Sequence, residues 1–181
     1  DRVVDLGSGS GMDAFYAAGL VGAGGSVTGI DFTPEQLAKA RRLAADSGVT
    51  WVSFLEGRID QTTLADAAAD CVVSNGVINL CPDKPAVFAE AARLLRPGGR
   101  LAIADIVTEE PLTDAIVCNV DLWASCIGGA PQEADYLHAI EGAGLEIRQV
   151  RANPYEFLSD QALGASKQYG VKSIAVLAIK P

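Results

Sequence analysis

Val3-Val4-Asp5-Leu6-Gly7-Ser8-Gly9-Ser10-Gly11 is the stretch of sequence that decides the fold. Its first four residues are typical of a short buried strand, and the pattern of residues 13–21 predicts a helix after the glycines. The first N–H groups of a helix are unpaired, and glycines let a ligand approach the backbone closely. The stretch therefore predicts a ligand-binding turn, with a plain strand-to-helix turn as the alternative.

The rest of the chain alternates in the same way. Further strands are expected at residues 26–30, 50–55, 69–74, 100–107, 145–150 and 173–179. Helices are expected at residues 34–47, 82–95, 112–127 and 135–142. Strands such as Cys71-Val72-Val73 are apolar on both faces, as in a sheet that is covered on both sides. This pattern predicts an α/β fold with a parallel sheet, in one domain over residues 1–181.

The spacing of the glycines and one carboxylate indicate what the turn binds. A dinucleotide fingerprint would be Gly-x-Gly-x-x-Gly, but here Met12 occupies the place of the third glycine. Asp31 ends the second strand, where a carboxylate can accept hydrogen bonds from both hydroxyls of a ribose. A nucleoside-containing cofactor that is not a dinucleotide is therefore expected, with the dinucleotide NAD as a minor alternative.

Ligands of such folds lie beyond the carboxyl ends of the parallel strands, which selects further candidates. These are Phe32, expected beside an adenine, Gly57, Arg58 and Ile59 after the third strand, and Asn75 after the fourth. Each has a simpler interpretation: Phe32 as a partly exposed core residue, Arg58 as a solvated surface charge, and Asn75 as a turn residue.

Composition excludes several classes of function. The chain has 181 residues and a formal net charge of −9 without basic clusters, which argues against binding to nucleic acid or to an anionic membrane. Its apolar stretches are too short for membrane spans. The chain opens at Asp1-Arg2 and runs straight into a strand, so no signal peptide is expected. We expect a cytoplasmic protein with free thiols and a small-molecule substrate.

Several stretches carry a resemblance to a known family. The Gly-x-Gly-x-Gly turn after Asp5 resembles motif I of class I S-adenosylmethionine-dependent methyltransferases. More specific stretches resemble those of arsenite methyltransferases, and together they cover nearly the whole chain. They are Val27-Thr28-Gly29-Ile30-Asp31, Val72-Val73-Ser74-Asn75-Gly76-Val77-Ile78-Asn79-Leu80 with Pro82-Asp83-Lys84, Leu94-Leu95-Arg96-Pro97-Gly98-Gly99, Cys126-Ile127-Gly128-Gly129-Ala130 and Tyr169-Gly170-Val171-Lys172-Ser173.

The resemblance implies a Rossmann-like class I fold: a mixed, mostly parallel seven-stranded sheet with helices on both faces and an antiparallel last strand. It also implies that this domain lacks an N-terminal lid segment, and that the cofactor is S-adenosylmethionine. The cofactor-binding residues expected are Asp5, Gly7, Ser8, Gly9, Gly11, Asp31, Phe32, Gly57, Arg58, Ile59 and Asn75. No resident metal is expected.

The same resemblance implies that cysteines hold trivalent arsenic while its lone pair attacks the methyl group. Cys126 matches the family's Cys-x-Gly-Gly thiol and is the expected catalytic residue, whereas Gly76 replaces the thiol of the fourth-strand motif. A third family thiol lies upstream of the glycine turn and would precede Asp1. Two other functions stay open: methylation of a small organic molecule, and cofactor binding without catalysis.

The remaining cysteines have competing interpretations. Cys81 is expected at the N-cap of the helix that begins at Pro82, where a thiol gains thiolate character, although a small buried apolar residue is the simpler interpretation of Cys81. Cys118 lies eight residues before Cys126, so the two can share a helix face, although core packing is the simpler interpretation of Cys118. Cys71 is expected in the core.

Overall fold

The computed structural model describes residues 1–124, 126–154 and 160–181. Its strands are β1 (Arg2–Leu6), β2 (Ser26–Asp31), β3 (Val52–Glu56), β4 (Ala69–Asn75), β5 (Leu95–Val107), β6 (Glu146–Ala152) and β7 (Lys172–Ile179). Its α-helices are α1 (Met12–Val21), α2 (Pro34–Ser47), α3 (Lys84–Leu94), α4 (Asp114–Val117), α5 (Val120–Ala124), α6 (Glu133–Gly142) and α7 (Asp160–Tyr169). Short 3₁₀ turns occupy Gly22–Gly24 and Ile78–Leu80.

The strands form one sheet of order β3-β2-β1-β4-β5-β7-β6. The first five strands of that order are parallel, and β7 runs antiparallel to both β5 and β6. The expected mixed seven-stranded sheet with an antiparallel last strand is therefore confirmed. The strand order reverses between β1 and β4, and ligands of open α/β sheets bind at the carboxyl ends of strands at such a reversal.

Helices cover both faces of the sheet because neighbouring residues of each strand point to opposite sides. Val3 of β1 packs with α1 and α2 in a cluster that includes Leu37 and Phe54. Val4 packs on the other side, in a larger cluster with residues of α3 and α6. There the rings of Phe88 and Tyr136 meet edge to face, with centroids 5.1 Å apart. Together the two clusters sandwich the sheet between helices.

A third, smaller cluster lies at the end of β5. Ile106 of β5 packs there with Leu122 of α5, with Ile127 of the following loop, and with Tyr169 of α7. This cluster matters for function because it anchors the loop that carries Cys126, whose side chain packs against its edge.

The helix after β4 begins later than expected. The Asp83 side chain accepts a hydrogen bond from the Ala86 N–H at 3.0 Å, so Asp83 is the N-cap and α3 starts at Lys84. The expected start at Pro82 and the N-cap role of Cys81 are wrong, because a carboxylate caps a helix better than a thiol. Cys81 instead closes the 3₁₀ turn Ile78–Leu80.

The segment expected as one helix over residues 112–127 is divided. Asn119 Oδ1 accepts a hydrogen bond from the Leu122 N–H at 3.0 Å, which caps a new helix, α5, directly after α4. Ser125, inside the expected helix, lies outside the described residues. Helix α7 was not expected, because its sequence is mostly polar and its buried residues are Ala162, Ala165 and, at its last position, Tyr169. In the described part of the chain, no helix is long and apolar enough to span a membrane.

Candidate active site

The glycine turn after β1 is closely packed at two positions and open at one. All three glycines have positive φ, and a Cβ on Gly7 would come within 2.5 Å of the Val77 side chain. A Cβ on Gly11 would come within 2.8 Å of two phenylalanine rings, whereas a Cβ on Gly9 would meet nothing within 4 Å. The space beside Gly9 is what a ligand lying on the backbone requires.

Asp31 ties this turn to the end of β2. Its Oδ2 accepts a hydrogen bond from the Gly9 N–H and its Oδ1 accepts one from the Thr33 N–H, both at 2.8 Å. Thr33 is the N-cap residue of α2, but its side chain makes no capping hydrogen bond. A carboxylate oxygen has two lone pairs, so both oxygens can still accept a ribose hydroxyl. The sequence predicted the ribose role of Asp31 but not its bond to the glycine turn.

Two buried polar atoms beside the turn have no hydrogen-bond partner among the described residues: Asp5 Oδ2 and Ser8 Oγ. Burial, with the negative charge of Asp13 as the next cause, raises the pKa of the Asp5 carboxyl to about 7. A cation bound nearby would stabilise ionised Asp5. S-adenosylmethionine carries a positive sulfonium and hydroxyl groups, so these unpartnered atoms and the space at Gly9 fit this cofactor.

A pocket of about 340 Å³ adjoins the turn and contains several predicted residues. It is lined by Gly7, Asp31, Phe32, Arg58, Ile59, Asp60, Val77, Leu80, Cys81 and Pro82. Phe32 lines this pocket and is 71% exposed, so its ring is accessible for stacking against a planar ligand. The mostly apolar lining suits an adenine ring, next to the carboxylate suited to a ribose.

The structure assigns other interactions to three of the predicted cofactor residues. The Arg58 guanidinium forms a bidentate ion pair with Asp60, at 2.9 and 2.5 Å, and its side chain is 67% exposed. Gly57 donates its N–H to the Asp31 carbonyl at 2.9 Å, which fixes the end of β3. Asn75 Nδ2 donates to Asp13 Oδ2 at 3.2 Å on the rim of a different groove of about 470 Å³, which α1 borders.

Cys126 and Gly76, the two positions of the family's thiols, are brought together by the fold. The Cys126 Sγ lies 3.0 Å from the Gly76 carbonyl oxygen, to which the thiol donates a hydrogen bond. Gly76 has φ +67°, and a Cβ there would meet nothing within 4 Å. Burial, and then the negative charge of Asp105, raise the pKa of the Cys126 thiol to about 11. At neutral pH this side chain is a thiol rather than a thiolate.

Of the other three cysteines, Cys118 fits neither interpretation first given for it, whereas Cys71 and Cys81 are both buried. All four are free thiols. Cys118 is exposed at the end of α4, and a break separates it from α5, so the expectations of core packing and of a helix face shared with Cys126 are wrong. Cys81 is buried and lines the pocket of Asp31 and Phe32, and Cys71 lies in the core as expected. Among the described residues, no group of three or more His, Cys, Asp or Glu could hold a metal ion.

Two buried residues near Cys126 were missed from the sequence: Asn79 and Asp105. Burial raises the pKa of Asp105 to about 6, although it accepts hydrogen bonds from the Ile106 and Asn79 N–H groups. Asn79 lay in a quoted motif, which was the only available signal for it. Asp105 occupies an ordinary place in an apolar strand, and nothing in the pattern distinguishes it.

The strand order, the glycine turn after β1 and the carboxylate after β2 define a methyltransferase with a class I Rossmann-like fold. The chain belongs to the methyltransferase domain family, whose model matches residues 1–144. This membership confirms the predicted enzyme class and, with it, the predicted cofactor, S-adenosylmethionine.

Similar proteins carry a more specific name. The chain is 43% identical over 170 residues to an arsenite methyltransferase of Aquipseudomonas alcaligenes, covering 90% of this chain and 49% of the relative. It is 40% identical over 162 residues to an arsenite methyltransferase of Halobacterium salinarum, covering 88% and 41%. An arsenic(III) S-adenosylmethionine methyltransferase from Chlamydomonas reinhardtii superposes with a TM-score of 0.80 at 32% identity, covering 98% of this chain and 62% of that one. The chain thus spans less than half the length of these two curated relatives.

Proposed function

We propose that this domain transfers a methyl group from S-adenosylmethionine to trivalent arsenic held by the Cys126 thiolate. The observation that carries the proposal is the 3.0 Å contact between Cys126 Sγ and the Gly76 carbonyl, which joins the Cys-x-Gly-Gly loop to the segment after β4. The same segment packs on the cofactor turn, since Val77 lies against Gly7. A group bound at Cys126 is therefore connected to the cofactor turn through only a few residues.

Different residues of the chain would bind different parts of the cofactor. Asp31 and the backbone of the glycine turn would hold the ribose and the amino-acid part of the cofactor, with Phe32 and Ile59 against the adenine. When bound, S-adenosylmethionine supplies an electrophilic methyl carbon: the arsenic lone pair forms the As–C bond as the sulfonium C–S bond breaks. Arsenic carries no proton at that lone pair, so the residues need not supply a general base.

Cys126 loses its proton as it binds arsenic. Trivalent arsenic in neutral water is As(OH)3, so an As–O bond breaks as the As–S bond forms, and the thiol proton leaves with the hydroxide as water. Because no net proton is released, arsenic binding should change little between pH 6 and pH 8, although burial raises the pKa of the thiol to about 11. Gly76 contributes no second thiolate, so one further ligand must come from a small thiol or from a cysteine other than the exposed Cys118. We expect weak binding and slow methylation for this reason.

The test is an assay of methylated arsenic formed from S-adenosylmethionine and trivalent arsenic. Cys126→Ser should abolish turnover and leave S-adenosylhomocysteine binding unchanged, because an oxygen ligand is too hard for trivalent arsenic. Cys118→Ser is the matched control, since it removes an exposed thiol of the same chain, and it should retain activity. Undiminished methylation by Cys126→Ser would rule out the thiol mechanism.

Gly76→Cys extends the same assay. It adds a thiol where a Cβ has open space, although a non-glycine residue at φ +67° costs about 1–2 kcal/mol. The variant should bind trivalent arsenic more tightly and methylate it faster. If it folds, binds the cofactor and gains no arsenic affinity, the pocket is not an arsenic site.

A second function, methylation of a small organic acceptor, is favoured by the open space at Gly76, where a Cβ would meet nothing within 4 Å. On that account Cys126→Ser should be mild, and an organic nucleophile rather than arsenic should consume the cofactor. Cofactor binding without any transfer is the third possibility, and the same assay identifies it by the absence of methylated product.

A further inference from the structure

A completely buried asparagine side chain links two segments beside Cys126. Asn79, in the 3₁₀ turn after β4, donates hydrogen bonds from Nδ2 to the Ile106 carbonyl at 2.6 Å and to the Cys126 carbonyl at 3.3 Å. Both partners are carbonyl oxygens, which can only accept, so the amide must present its NH₂ group to them. One side chain therefore fastens the Cys126 loop to β5.

The backbone of Asn79 is held by a further hydrogen bond, whereas its side-chain Oδ1 has no hydrogen-bond partner among the described residues. Its own N–H donates to Asp105 Oδ2 at 3.2 Å, and Asp105 Oδ1 accepts the Ile106 N–H at 2.9 Å. The hydroxyl of Tyr136 donates to the same carboxylate at 3.5 Å. On the loop side, a Cβ on Gly129 would overlap the Asn79 carbonyl oxygen, so only glycine allows this approach. The turn and the loop are thus in direct backbone contact as well.

The conformation of Cys126 is one that needs such support. It is a non-glycine residue with φ +61°, in the left-handed region that side chains with a Cβ rarely adopt. The segment from Gly76 to Asn79 holds it at both ends: Gly76 accepts the thiol's hydrogen bond and Asn79 donates to its carbonyl.

We propose that Asn79 is a positioning residue for Cys126, whose amide fixes the Cys126 backbone so that the thiol stays directed at Gly76. The effect of this positioning on catalysis rests on the proposed function, but the positioning itself does not. Without the amide, the Cys126 carbonyl loses its donor and the loop can relax from the left-handed conformation. The thiol would then turn away from Gly76 towards solvent.

The experiment measures alkylation of each cysteine by iodoacetamide in the native protein, with mass spectrometry. Exposed Cys118 serves as the internal reference and Cys71, buried in β4, reports unfolding. In the wild type, Cys126 should react at least tenfold more slowly than Cys118. In Asn79→Ala it should react at least tenfold faster than in the wild type, with Cys71 still protected. Asn153→Ala is the matched control: it removes the hydrogen bond that Asn153 Nδ2 donates to the Ser173 hydroxyl, and it should leave the alkylation rate of Cys126 unchanged.

Three results would overturn the proposal. One is a Cys126 rate in Asn79→Ala within twofold of the wild type while Cys71 remains protected. Another is an alkylation rate of Cys126 in the wild type that equals the rate of Cys118. This comparison needs no variant, so it tests the proposal even if Asn79→Ala unfolds. The third is an equal acceleration in Asn153→Ala. A purely structural role for Asn79 would expose Cys71 together with Cys126.

A kinetic measurement connects the positioning to turnover. Asn79→Ala should raise the KM for trivalent arsenic at least fivefold while S-adenosylhomocysteine affinity stays within twofold. An unchanged KM alongside faster alkylation would contradict the link to arsenic. Alkylation uses neither arsenic nor cofactor, so the positioning can fail while Cys126→Ser still abolishes methylation, and the reverse holds equally.

Discussion

Asp31 provides the sharpest quantitative prediction, because the structure gives its carboxylate two functions. It accepts hydrogen bonds from the Gly9 and Thr33 N–H groups at 2.8 Å, and it is the expected ribose acceptor. Asp31→Ala should therefore lower both the stability of the free protein and its affinity for the cofactor. A residue that served only the ligand would affect affinity alone.

The magnitude follows from the bonds lost. Each hydrogen bond to a charged group contributes about 1.5–3 kcal/mol, and two are removed from a largely buried carboxylate. Because Gly9 is partly exposed, water can replace part of the loss, and we expect a decrease of about 2–4 kcal/mol in the free energy of unfolding. For a chain of this size that corresponds to a fall in Tm of roughly 5–15 °C. Loss of the ribose bond should weaken cofactor binding by roughly ten- to a hundredfold.

Denaturant unfolding measures the first effect, and titration calorimetry with S-adenosylhomocysteine, below the variant's transition, measures the second. Asp31→Asn keeps one acceptor oxygen and should lose about half as much stability. Asp46→Ala removes an exposed carboxylate from α2 and should change neither quantity. Asp31→Ala with an unchanged unfolding midpoint would refute the claim that this carboxylate holds the glycine turn in place.

Three further predictions test the site. The pKa of Asp5 is about 7, and a cationic cofactor favours the ionised form of Asp5, so S-adenosylmethionine binding should release a proton near pH 7 and tighten from pH 6 to pH 8. Calorimetry in two buffers should show that Asp5→Asn abolishes the proton release. An equal proton release in that variant would contradict the assignment to Asp5. Gly129→Ala should lower the free energy of unfolding by more than about 2 kcal/mol, because its Cβ overlaps the Asn79 carbonyl. Gly142→Ala on α6, whose Cβ has open space, should be neutral or stabilising by up to about 1 kcal/mol, and equal losses in both glycine variants would remove the packing argument. NAD should not bind measurably under conditions in which S-adenosylmethionine does, and comparable affinities would contradict the interpretation of Met12 and the glycine spacing.

Much of the fold was predictable from local sequence. The turn after β1 and the alternation of strands and helices follow from glycine spacing and apolar periodicity, which act over a few residues. The predicted helix boundaries were wrong where two neighbouring residues could each have capped a helix or where a capping residue lay inside the predicted helix. Asp83 rather than Cys81 is the N-cap of α3, and Asn119 caps a new helix, α5. Helix α7 was missed because its sequence is mostly polar and, apart from Tyr169 at its last position, its buried side chains are the small ones of Ala162 and Ala165.

The candidate site divides in the same way. Asp31 and the glycines could be predicted as cofactor-binding residues because they stand next to strand ends, and their roles stay predictions. Asn79 and Asp105 could not be predicted, because their importance comes from contacts between segments distant in sequence, such as the Asn79 bond to Cys126 47 residues away. The ion pair of Arg58 with Asp60 could not be predicted either, because an exposed arginine can pair with any nearby carboxylate. The single domain and the missing lid segment stay predictions.

The central claim is that trivalent arsenic is held by Cys126 beside the cofactor turn. The direct measurement is the rate of Cys126 alkylation with and without trivalent arsenic, in the presence of S-adenosylhomocysteine, read by mass spectrometry. Arsenic should slow alkylation of Cys126 at least fivefold and leave that of exposed Cys118 unchanged. An unchanged Cys126 rate at arsenic concentrations that support methylation would show that the acceptor is held elsewhere.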